Sequence, residues 1–132
     1  MKMEDQVCSI ELAKRLKELG VKQDSLFYWK EIGLSTDRWI IDFCEKPLKE
    51  FDDRWCSAFT VAELGNLLPD TITIGDEKFY LTMSVDKHVY YENMKKDEEY
   101  WDFETSDDHN EADSRASMIL HLIKYNLMEL PK

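Results

Sequence analysis

The chain has 132 residues, 43% of them hydrophobic, with few glycines and prolines, so it is sized for a single domain (1–132) around one core rather than for disorder. Its formal charge of −11, from 28 acidic against 17 basic residues, argues against nucleic acid, whose binders rely on Lys and Arg at the phosphates, and against anionic membrane surfaces. No apolar run approaches the roughly 20 residues of a membrane span, and no h-region follows Met1–Val7; with Cys8, Cys44 and Cys56 far apart and no C-x-x-C pair, three half-buried reduced thiols of a cytoplasmic protein fit better than a disulfide framework or a zinc site.

Ile10 to Leu19 reads as the first helix. Ser9 is the N-cap, Glu11 favours the first turn, and Leu12, Ala13, Leu16 and Leu19 form the apolar face, with Lys14, Arg15 and Lys17 toward solvent. Gly20 ends the helix and lets Val21 fold back on Leu16. Ser25 to Glu31 is short and aromatic-rich, a strand wet on neither face. In Asp37 to Phe43, Trp39, Ile41 and Phe43 alternate on one side and Asp42 faces the other. Cys44 to Ser57, with Pro47 and mixed charges, reads as an irregular connection.

Thr60 and Glu63 form a T-x-x-E capping box for a short helix to Leu68, with Val61, Leu64, Leu67 and Leu68 apolar and Pro69 limiting it. Gly65 inside that helix costs about 1 kcal/mol relative to Ala, which points either to close packing or to a sharp approach of another element. Thr71–Ile74 and Phe79–Val85 flank Gly75–Lys78 as a four-residue hairpin loop, and Asp86–Lys87 turns the chain into His88–Glu92. Tyr100–Glu104 supplies a further strand. In the tail, Ala112, Ala116, Ile119, Leu120, Ile123 and Leu127 recur at steps of three and four, capped by Asn110 and stopped by Asn126, with Leu127 returning toward Leu122. The expected class is α+β: a mainly antiparallel sheet of about four to six strands with a long C-terminal amphipathic helix and two shorter helices against it.

Three segments, SIELAKRLKELGVKQDSLFYW (Ser9–Trp29), AFTVAELGNLLP (Ala58–Pro69) and EADSRASMILHLI (Glu111–Ile123), resemble in order and spacing a group of small uncharacterised proteins encoded by phages and prophages of gut-type bacteria. The resemblance covers about a third of the chain. It implies a small cytosolic accessory protein, possessing no catalytic residue that carries over. The stretch from Asp86 to Asn110 lies outside it.

That stretch leads into the charge extreme. From Glu92 to Asp113 ten acidic residues face only Lys95 and Lys96, a net of −8, bordered or interrupted by Tyr90, Tyr91, Tyr100, Trp101 and Phe103. The plain reading is a solvated loop and strand edge, whose charges also discourage edge-to-edge pairing. The sharper one is a surface for a basic protein partner: Glu98, Glu99, Asp107 and Asp108 supply carboxylates and Trp101 an aromatic anchor. Mimicry of a phosphate row is its most specific form.

Asp107, Asp108, His109, Glu111 and Asp113 gather oxygen and imidazole donors, yet the glycine and terminal glutamate of a calcium loop are missing and His109 stands alone for zinc. His121 reads as a core-margin histidine and His88 as a turn flank. Cys44 or Cys56 is a nucleophile only with a histidine within about 3 Å. With no P-loop, no G-x-G-x-x-G and no G-x-S-x-G, neither a cofactor nor a catalytic set is assigned. Among the sixteen aromatics, most belong in the core; several converging on an open sheet face would instead line a ligand pocket or an interface between copies of the chain. The leading reading is therefore a non-enzymatic interaction module, and the alternative a small-molecule binder or enzyme with its site among the aromatic strands.

Overall fold

A computed structural model describes residues 2–32, 38–43, 54–84, 86, 88–95, 97–101 and 110–130. Helix α1 (Ile10–Glu18) starts at Ser9, whose Oγ accepts the Leu12 N–H at 3.5 Å. It stops at Gly20, φ +91°, where the Gly20 N–H returns to the Lys17 carbonyl and the Val21 N–H to the Leu16 carbonyl. Those two bonds make a Schellman stop, and its apolar pair, Val21 and Leu16, is buried. Helix α2 (Val61–Leu67) opens on the capping box: Thr60 Oγ1 accepts the Glu63 N–H at 3.2 Å, and Glu63 Oε1 accepts the Thr60 N–H at 3.0 Å. Helix α3 (Glu111–Lys124) starts where Asn110 Oδ1 accepts the Asp113 N–H at 2.7 Å. It ends at Asn126, φ +57°, with the Leu127 N–H returning to the Leu122 carbonyl at 2.8 Å. This repeats the Schellman geometry with asparagine at the left-handed position.

The strands divide into two antiparallel sheets. The first has order β2-β1-β3, from β1 (Phe27–Glu31), β2 (Trp39–Phe43) and β3 (Trp55–Ser57). The second runs β4-β5-β6-β7, from β4 (Thr71–Ile74), β5 (Glu77–Met83), β6 (Val89–Asn93) and β7 (Glu98–Trp101). The class is α+β, with the strands shared between two sheets rather than laid in one. Part of the stretch read as an irregular connection is strand: Trp55–Ser57 pairs with Tyr28–Lys30, and all three residues are buried. Residues 44–53 of that stretch lie outside the described residues. The first strand is also less dry than expected, because Lys30 is exposed beside buried Tyr28 and Trp29.

The β4–β5 loop is shorter than the four residues expected. Ile74 pairs with Glu77, leaving Gly75 (φ +64°) and Asp76 as a two-residue turn. Glycine in that first position suits the twist of a tight hairpin, so Glu77 and Lys78 join the ladder.

Helix α3 is the centre of the fold, touching α1, α2 and β6. Its expected stripe is buried at Ala112, Ala116, Ile119 and Leu120, and Ser114, Ser117, Met118 and Leu122 are buried as well. The helix is thus enclosed on more sides than an amphipathic surface helix. Alanines and serines let its neighbours approach closely, and Ser114 Oγ accepts the buried Val89 N–H at 2.9 Å. The glycine in α2 finds its cause here: a Cβ at Gly65 would collide with the Arg115 guanidinium, which donates to the Val61 carbonyl at 3.0 Å.

Two lysines of α1 expected in solvent reach along the first sheet, Lys14 remaining exposed and Lys17 half-buried. Lys14 Nζ lies 4.6 Å from the Trp39 ring centroid and Lys17 Nζ 4.2 Å from that of Trp55, where it also donates to the Trp55 carbonyl at 2.5 Å. Among the described residues no helix is long and apolar enough to cross a membrane.

Candidate functional site

Alternation along the second sheet sorts its residues onto two faces. Inward lie Ile72, Phe79, Val89 and Tyr91, all buried, with the Tyr91 hydroxyl donating to the Pro69 carbonyl at 2.6 Å. Burial pushes the Tyr91 phenol well above its ordinary range, so it stays a neutral donor at physiological pH. Outward, one row crosses all four strands: Thr71 opposite Tyr80, Tyr80 opposite Glu92, and Glu92 opposite Glu99. Beside it Thr82 pairs with Tyr90, and Tyr90 with Trp101.

This outer face combines carboxylates with rings. Tyr80 is 55% exposed, Glu99 is exposed, and Glu92 and Tyr90 are half-buried. Partial burial, then the Glu92 and Glu99 carboxylates, raises the Tyr90 phenol above its ordinary range. Two like charges directly opposite across a strand pair repel, and a cation placed between them relieves that repulsion.

The expected partner-binding residues separate on this frame. Glu99 and Trp101 alternate with Glu98 and Tyr100 along β7, so Glu98 opposes buried Asn93 while remaining exposed itself. Asp107 and Asp108 lie outside the described residues, as does His109. Two acids counted in the charge extreme have structural duties instead. Asp113 Oδ1 accepts the Ser9 N–H at 2.6 Å, tying the start of α3 to the start of α1, and Glu111 lies 3.6 Å from Arg115. Tyr80 joins the site unforeseen. The signal was its place between Phe79 and Leu81, whose inward turn sends it outward.

The hinge of the β6–β7 hairpin is built to hold this face. Asn93, buried, donates from Nδ2 to Glu77 Oε2 at 3.2 Å and accepts the Lys95 N–H at 3.0 Å, and Asp97 adopts φ +52°. Behind the sheet His121 sits between Tyr100 and Tyr125 with its ring tilted to both, the ring centroids 5.3 and 4.7 Å away. That is the core-margin place expected of it. His88 likewise flanks a turn, its N–H donating to Ser84 Oγ at 3.2 Å.

The thiols are more deeply placed than expected: Cys8 and Cys56 are fully buried rather than half-buried. Burial pushes Cys8 up to about 12 and Cys56 up to about 11, so both are protonated thiols near neutral pH and poor nucleophiles. Among the described residues no group of three or more His, Cys, Asp and Glu side chains is arranged to hold a metal ion.

A concavity lies on the first sheet. An open groove of about 570 Å³ runs between the 3-10 turn Met3–Asp5 and the first sheet, lined among the described residues by Met3, Glu4, Phe27, Trp29, Trp39, Ile40 and Ile41. Comparison of the chain with protein families, with curated proteins and with solved structures found no match.

Proposed function

We propose that this chain is a non-enzymatic interaction module that binds a basic protein partner through the outer face of its four-stranded sheet. The observation that carries this reading is the opposed pair Glu92 and Glu99, flanked by Tyr90 and by the 55% exposed ring of Tyr80. Paired carboxylates attract Lys and Arg, and tyrosine rings add apolar contact area at low entropic cost. The net charge of −11 steers a cationic partner toward the chain from beyond contact range. A cytosolic accessory role, as the resemblance to phage-encoded proteins implies, suits such a binder.

The test compares capture of partners from the native host by the unaltered chain and by Glu92→Lys/Glu99→Lys. Recovery of a basic protein by the first, its loss with the second and its retention by Glu11→Lys on α1 supports the reading. A partner that tolerates the double reversal refutes it.

A further inference from the structure

The groove on the first sheet has a chemistry separate from the acidic face. Its volume, about 570 Å³, falls in the range of small-molecule sites. Six of the seven described residues that line it are apolar. The Trp29 indole N–H is already committed to the Cys8 carbonyl at 3.0 Å, so that ring offers the groove carbon alone. Among the described residues that line it, Glu4 alone is charged; it is exposed and has no ion-pair partner among the described residues. Its backbone is held from behind, where Asn110 Nδ2 donates to the Glu4 carbonyl at 3.3 Å and to the Val7 carbonyl at 3.1 Å. The carboxylate therefore stands on an anchored turn beside a preformed aromatic wall.

Aromatic faces and a carboxylate together select a positive charge on an apolar frame. The chain displays this affinity internally, because the Lys14 ammonium lies 4.6 Å from the Trp39 ring centroid. From this we infer that the groove binds a small aromatic organic cation, its ring against Trp39 and Phe27 and its charge directed at Glu4. Lys14 lies outside the groove lining but holds its ammonium against the same ring, so removing its charge tightens binding of such a ligand.

The test uses three probes of one shape: benzyltrimethylammonium, its neutral isostere neopentylbenzene, and the anion phenylmethanesulfonate. Binding is followed by amide and indole shifts in two-dimensional NMR spectra of the whole chain. The cation is expected to shift Trp39, Phe27 and Met3 saturably and to bind about fivefold more tightly than the neutral isostere. Glu4→Gln, a surface change that leaves the fold in place, should weaken it by about threefold, and Lys14→Gln should tighten it by a similar factor. Absence of saturable shifts at the groove overturns the inference. So does equal binding of the neutral isostere, or an anion that binds best and is weakened by Lys14→Gln.

Discussion

Gly65 shows how one residue type is decided by a contact distant in sequence. Alanine there would gain about 1 kcal/mol of helix propensity. Its methyl group must also displace the Arg115 guanidinium, which holds the Val61 carbonyl at 3.0 Å while its own Nε is buried without a partner. A hydrogen bond from a charged donor is worth about 1.5–3 kcal/mol, so the loss outweighs the gain. Gly65→Ala should therefore destabilise the chain by about 1 kcal/mol in urea titration, and in an Arg115→Met background the same change should stabilise it. The buried thiols give a second residue-scale expectation. The folded chain holds Cys8 protonated to about 12 and Cys56 to about 11, whereas an unfolded thiol ionises near 9.0. Raised folded values contribute stability below pH 9.0 and lose it as pH climbs toward 11 and 12. In Cys44→Ser protein, both thiols should resist a disulfide reagent at about pH 8 until urea unfolds the chain, and the urea midpoint should drop between about pH 8 and about pH 10. Cys8→Ala should lessen that drop.

At the scale of elements, helix ends were the most legible feature. Ser9, Gly20, Thr60, Glu63, Asn110 and Asn126 all hold the capping or stopping places their side chains predict. Capping joins residues three or four apart, so the necessary information lies within one helical turn. Asn110 does more than its spacing reveals: besides capping α3 it ties down the 3-10 turn through Glu4 and Val7. Asn110→Ala should cost about 2 kcal/mol in urea titration and speed hydrogen exchange at the Asp113 amide; a loss confined to a few tenths would show the ties to be idle. The strand Trp55–Ser57 was the least legible element. Its three residues are buried, but a run that short carries no alternation, and only pairing with β1 makes it a strand.

For the whole molecule, the charge of −11 is distributed between a surface face and internal duties, and sequence reading could not divide them. Glu98 and Glu99 are exposed on β7, so Glu98→Lys/Glu99→Lys should leave unfolding free energy within about 1 kcal/mol of the unaltered chain. Asp113→Ala should behave differently. Its carboxylate receives the Ser9 N–H at 2.6 Å between two helix starts, and its removal should lower stability by about 1–2 kcal/mol in the same titration.

By itself the amino-acid order determined the helices, their caps, the amphipathic tail and the α+β class, because each rests on contacts within a few residues or on a side-chain period. Only tertiary structure decided that the strands split into two sheets, that α3 is enclosed by α1, α2 and β6, that Tyr80, Glu92 and Glu99 meet in one outward row, and that Asp113 serves a helix start rather than the acidic face. Those outcomes depend on which distant surfaces exclude water from one another. That choice is made by the shape of the closed core, which no local spacing encodes.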